Sequence, residues 1–134
     1  MTSQVIASAW VCVRDRRVLV VRAAGSDAFY LPGGKPEPDE TYAEAAAREV
    51  REEVGIELDA ADLTLFTEIR APAHNRPAGT VVRLICFTGG KTDVEPVPAN
   101  EIAELAWFTT GQAGRCAPAI RLLLAELATA GRID

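Results

Sequence analysis

Apolar and polar positions alternate from the start of the chain: Val5, Ala7, Ala9, Val11 and Val13 fall on one face of an extended segment. That alternation predicts a strand over residues 5–13. Residues 14–17 then turn the chain, and VLVVR at 18–22 predicts a return strand paired with the first as a hairpin. FYLPGG at 29–34 reads as a short strand running into a glycine loop, and LTLFTEIR at 63–70 and TVVRLICFT at 80–88 read as two more strands. The segment around 105–108 predicts a last strand, and 118–130 repeats apolar residues at helical spacing. The switching period predicts a mixed α/β fold, with residues 1–134 as a single domain and no linker or internal repeat.

A central helix over 41–54 is bounded more sharply. Thr41 and Glu44 form a T-x-x-E capping box, and Gly55 supplies a left-handed stop. Ala43, Ala46, Ala47, Val50 and Val54 share the face that would meet a sheet. Glu44, Arg48 and Arg51 fall on the solvent side, whereas Glu49, Glu52 and Glu53 stand at i, i+3 and i+4 on a third face. These three carboxylates repel one another, and two sit at the helix end where the dipole disfavours negative charge. Converging carboxylates in so unfavourable a place predict a hard divalent cation, Mg²⁺ or Mn²⁺.

Composition narrows the partners. A net charge of −5 argues against non-specific nucleic-acid binding, and an anionic ligand would need local positive charge or a metal. The longest apolar runs fall far short of the roughly 20 residues that cross a bilayer, so no membrane partner is expected. The MTSQ start lacks the basic and apolar regions of a signal peptide. Cys12, Cys86 and Cys116 form no CxxC pair and read as buried structural residues in a reducing cytoplasm.

Gly34, Glu40, Arg48-Glu49-Val50, Glu52-Glu53 and Gly55-Ile56 occupy every fixed position of G-x5-E-x7-R-E-U-x-E-E-x-G-U, where U is apolar. The chain therefore resembles the Nudix hydrolases. The resemblance implies the Nudix fold, a mixed β-sheet sandwiched between α-helices, and cation binding by Glu49, Glu52 and Glu53 with a backbone carbonyl of the Gly33-Gly34 loop. It implies that Arg48 orients the box glutamates by ion pairing and that Glu40 steadies the loop or joins the metal shell through water. The implied chemistry is attack of water on phosphorus of a nucleoside diphosphate linked to a group X, a small nucleotide-type substrate. Asp39 stands where many relatives carry glycine, and Pro36 and Pro38 stiffen the loop.

The resemblance leaves the general base open between Glu49 in the box and Glu101 outside it, with Glu95 and Glu104 as rivals. For the substrate, Arg22, Arg70 and Arg83 are the candidate phosphate contacts. Pro72, 16 residues beyond Ile56, resembles a marker of ADP-ribose-cleaving relatives. The loop after it holds the only histidine, His74, with Asn75 and Arg76, a polar and basic loop able to meet a phosphate or sugar. Trp10, Phe29, Tyr30 and Trp107 are either stacking platforms or core. Two further readings stand beside the hydrolase: a non-catalytic nucleotide-binding module, which would have lost a box glutamate, and an isoprenyl diphosphate isomerase, usually longer and with a divergent box. A homodimer through an exposed early strand is also within the family's range.

Overall fold

The computed structural model describes residues 3–91 and 93–134. Its elements are β1 (Ser3–Trp10), β2 (Val13–Arg14), β3 (Arg17–Ala23), β4 (Gly33–Gly34), α1 (Tyr42–Val54), β5 (Leu63–Pro72), β6 (Thr80–Gly89), β7 (Ile102–Phe108) and α2 (Pro118–Thr129). They form two sheets, one in the order β4-β1-β6-β5 and one in the order β2-β3-β7. The β1–β6 pair is parallel and the others are antiparallel, so the mixed α/β expectation holds.

The expected long hairpin does not form. Only Val13 and Arg14 pair back onto Val18 and Arg17, through a turn with Asp15 and Arg16 at φ 53° and 61° that joins the two short strands. Residues 3–10 instead run parallel to β6, from Ser3 beside Thr80 to Trp10 beside Phe87. The chain changes sheets at Val11 and Cys12. Val11 still donates to the Phe87 carbonyl at 2.7 Å, while the Cys12 carbonyl already accepts from Leu19 at 2.9 Å. The Trp10 indole, fully buried, fixes that corner by donating to the Gly89 carbonyl at 2.8 Å. Alternation alone could not reveal the corner, because both sheets continue the same period.

Two apolar layers result. Val18, Val20, Phe29, Leu84, Leu123, Leu124 and Leu127 fill the space between the sheets and beneath α2. Trp10, Leu19, Val21, Val50, Val54 and Ile56 pack α1 on the opposite side. The three cysteines are buried as expected, and burial pushes their thiols up to about 11 for Cys12 and Cys116 and about 12 for Cys86. Among the described residues no helix is long and apolar enough to cross a membrane. The outer edge of β1 pairs with β4 at Ser8 and Ala9, and Trp10 N donates to the Pro32 carbonyl at 2.9 Å.

β4 is short but closely seated. A methyl group on Gly33 would fall on the Ser8 carbonyl oxygen and lie 2.7 Å from the Ala9 Cα, both backbone atoms that cannot move aside cheaply. Gly33→Ala is therefore expected to lower stability by about 1–3 kcal/mol, read as a reduced midpoint in urea unfolding. An unchanged midpoint would mean that β4 does not lie this close to β1.

Candidate active site

Helix α1 begins as its sequence predicts. The Thr41 hydroxyl accepts from Glu44 N at 3.1 Å and the Glu44 carboxylate accepts from Thr41 N at 2.8 Å, while Gly55 ends the helix at φ 72°. The Arg48 placement departs from expectation. Its side chain is only 19% exposed and turns toward the loop before α1 instead of solvent. Nε donates to Glu40 Oε2 at 2.7 Å and Nη2 to Glu40 Oε1 at 2.9 Å, a bidentate fork. Nη1 donates to Glu49 Oε1 at 2.9 Å and Glu52 Oε1 at 3.3 Å, and Nη2 also reaches the Lys35 carbonyl at 3.2 Å. The ion pairing expected of Arg48 is thus present, and the guanidinium pulls the Glu40 carboxyl down to about 2. Glu40 belongs to this girdle.

Two of the three carboxylates, Glu49 and Glu53, are packed, whereas Glu52 is 42% exposed. Ala45, one turn before Glu49, is fully buried and was absent from the predicted core stripe. The Glu49 carboxylate lies against Gly34, where a Cβ would stand 2.6 and 2.8 Å from its oxygens, so only glycine leaves room for it. Burial raises the Glu49 carboxyl above the ordinary range, with Arg48 pulling the other way. Glu53 is deeper, 6% exposed, and its Oε1 accepts from Gly33 N at 3.1 Å. Burial, opposed by that one backbone donor and reinforced by Glu49, Glu101 and Glu52, pushes it up to about 8.

The C-terminal end of α1 is capped from a distance. Val97 N and Ala99 N donate to the Val54 and Glu53 carbonyls, each at 3.0 Å, and the Asn100 side chain donates to the Glu52 carbonyl at 2.6 Å. Orphan carbonyls are satisfied, and Glu101, the next residue, is carried to the box. It lines the same cavity as Glu53 and its charge is felt by both Glu49 and Glu53. The rivals are engaged elsewhere: Glu95 pairs with Arg14 at 3.4 Å and Glu104 with Arg22 at 2.8 Å.

A cavity of about 310 Å³ opens between the sheets beside these acids. Val5, Ala7, Val21, Val82, Leu84 and Ile120 form apolar walls, with Gly34, Lys35, Glu53 and Glu101 also lining it. Pro72, His74, Arg76 and Tyr30 line it as well, so the loop after β5 faces the cavity as the sequence suggested. His74 Nε2 lies 2.7 Å from Asp27 Oδ1, which also accepts from Asn75 Nδ2 at 3.2 Å. The three arginines singled out from sequence line none of it. Arg22 is bound to Glu104 and the Ser26 carbonyl, Arg83 is paired with Glu68, and Arg70 is exposed 3.7 Å from Glu68. Of the four aromatic candidates, Trp10 and Phe29 are core and Trp107 lies under the Arg14 guanidinium at 4.7 Å, whereas Tyr30 reaches the cavity.

The donor set suits a hard cation: the carboxylate oxygens of Glu49, Glu52 and Glu53 on one helix, and a cradle that a side chain at position 34 would fill. Among the described residues no three His, Cys, Asp or Glu side chains already converge as a closed metal cluster. Glu40, Glu49 and Glu52 surround the Arg48 guanidinium instead.

Comparison with known proteins agrees with this arrangement. The NUDIX domain family matches residues 2–127, and the chain belongs to the Nudix hydrolase family. It is similar to the human 8-oxo-dGDP phosphatase NUDT18, 35% identical over 94 residues, covering 68% of this chain and 28% of that protein. It is also similar to an isopentenyl-diphosphate Delta-isomerase from Kocuria rhizophila, 35% identical over 102 residues, covering 69% of this chain and 55% of that protein. The chain thus spans roughly a quarter to half of these relatives' length. The fold resembles the crystal structure of a MutT protein from Methanosarcina mazei, with a TM-score of 0.75 and 22% identity over 98% of this chain and 97% of that one.

Glu53 gives stability a defined pH dependence. It titrates at an ordinary 4.5 when unfolded and near 8 when folded, so between those values the native chain holds a proton that the unfolded chain has lost. Its contribution is favourable below 4.5 and declines as pH rises toward 8. Glu53→Gln should abolish this decline: in chelator at alkaline pH the variant melts several degrees above wild type, and the difference vanishes toward acid pH. Parallel melting curves across pH would show that Glu53 does not carry the slope.

Proposed function

We propose that this chain is a Mg²⁺-dependent pyrophosphohydrolase, with Mn²⁺ able to substitute, acting on a nucleoside diphosphate linked to another moiety. The carrying observation is the buried Glu53, held by Gly33 N and lining with Glu101 one end of an apolar cavity. Glu49, Glu52 and Glu53, with a carbonyl of the Gly33-Gly34 loop, would hold the cation, which supplies Lewis-acid polarisation of phosphoryl oxygens and a water of lowered pKa. Arg48 orients Glu49 and Glu52 by the ion pairs described above.

The general base is Glu101. It stands at the cavity with no rival glutamate beside it outside the box, whereas the Glu49 carboxylate is already engaged by Arg48. Water attack on phosphorus, with its proton passing to Glu101, breaks the anhydride bond and yields two phosphorylated products. Lys35 and Arg76 are the cations lining the cavity and would meet the diphosphate in place of Arg22, Arg70 and Arg83. The apolar walls and Tyr30 suit a flat, weakly polar group, and His74 and Pro72 bound the side where a sugar or second phosphate would lie.

The test is release of phosphate and monophosphates from nucleoside triphosphates, oxidised triphosphates, ADP-ribose, nucleotide sugars, dinucleoside polyphosphates and isopentenyl diphosphate, with Mg²⁺ and with chelator. Metal-dependent cleavage of one class is expected, lost in Glu52→Gln and Glu53→Gln and reduced about 10²–10⁴-fold in Glu101→Gln. Cation binding without cleavage across the panel would favour a binding module. Isomerisation of isopentenyl diphosphate would favour the isomerase.

A further inference from the structure

The Ser8 hydroxyl is the one buried side-chain oxygen or nitrogen without a hydrogen-bond partner among the described residues. Ser8 is fully buried, and an orphan hydroxyl in that setting costs stability unless something supplies a partner. Its position is specific. In the β1–β4 pair Ser8 lies directly opposite Gly34, and opposed residues in an antiparallel pair project to the same face of the sheet, about 4.5–5.5 Å apart. A side chain at Gly34 would run into the Glu49 carboxylate, so the face Ser8 shares with it is the one against which that carboxylate lies. The neighbouring even positions agree. Ile6 packs against the cluster that holds Ala46, and Trp10 shares a cluster with Val50, residues of α1 that stand three positions before Glu49 and Glu53 respectively.

We infer that Ser8 is a positioning residue for the box carboxylates: its hydroxyl donates to the Glu49 carboxylate when that group turns from Arg48 toward a bound cation. The inference rests on the cation reading above. Glu49 is held by a single Arg48 nitrogen that it shares with Glu52, so releasing it leaves the Arg48–Glu40 fork intact. A hydroxyl has a proton to give and a carboxylate has none, so the donor direction is fixed. In the cation-free protein the orphan is the local cost of keeping that partner ready.

The experiment is a Mn²⁺ titration, by calorimetry or loss of the free-ion paramagnetic signal, on wild type, Ser8→Ala and Ser8→Cys, with melting curves in chelator. Ser8→Ala should raise the Kd for Mn²⁺ about 10-fold, the lower end of what outer partners of metal ligands contribute. Its melting temperature in chelator should stay level or rise, which a merely structural serine would not combine with weaker binding. Ser8→Cys, of similar size with a weaker donor, should fall between. Equal Mn²⁺ affinity in all three proteins would overturn the role of Ser8 and leave the cation reading standing. Absence of Mn²⁺ binding in wild type would overturn both.

Discussion

The Arg48 guanidinium is the interaction on which the site depends. Three carboxylates on one helix face repel, and without a counter-charge the last two turns of α1 would be disfavoured by both their neighbours and the helix dipole. Arg48 spends every nitrogen on this problem, with a fork to Glu40, one nitrogen shared by Glu49 and Glu52, and a bond to the Lys35 carbonyl. The fork also ties the loop before α1 to its second turn, and the bond to the Lys35 carbonyl ties the same guanidinium to the chain just after the Gly33-Gly34 strand. A lysine could not do this, since it lacks the planar fork.

The second constraint is the far end of α1. Its last carbonyls would be exposed to the acidic cluster were they not met by Val97, Ala99 and Asn100. Asn100 takes φ 53°, a left-handed conformation asparagine tolerates better than most, and the kink turns the chain so that Glu101 enters the cavity. Capping the helix and delivering an acid to the box are consequences of one local conformation.

What was legible in the sequence follows from locality. The helix, its caps and the register of its glutamates are set within a few residues, and they stand as read. The strands β5 and β6 were visible in their alternating and β-branched runs and β7 in the apolar stretch 105–108, though β7 begins earlier than that stretch suggested. Two things were not legible because they depend on distant chain. The sheet switch at Val11-Cys12 hides inside an unbroken alternation, and the arginines of β3, β5 and β6 look free until Glu104 and Glu68 are found opposite them. Arg48 was misplaced on the solvent face for the same reason: a helical wheel shows direction, not the loop that waits there.

The polarity of the cavity follows from this division of labour. The girdle keeps its charges on the α1 side of β1, and the odd positions of that strand, Val5, Ala7 and Ala9, turn away from it into the space between the sheets. One strand of alternating residues thus lies between an acidic face and an apolar one, and the two meet near its end, where Ser8, Gly34, Glu53 and Glu101 all line the cavity. On the proposed function, a ligand with an apolar ring and an anionic tail would be oriented by this division, ring toward the apolar walls and anion toward the carboxylates. Since those carboxylates repel an anion, the tail can dwell there only with positive charge between them, from a cation or from Lys35 and Arg76.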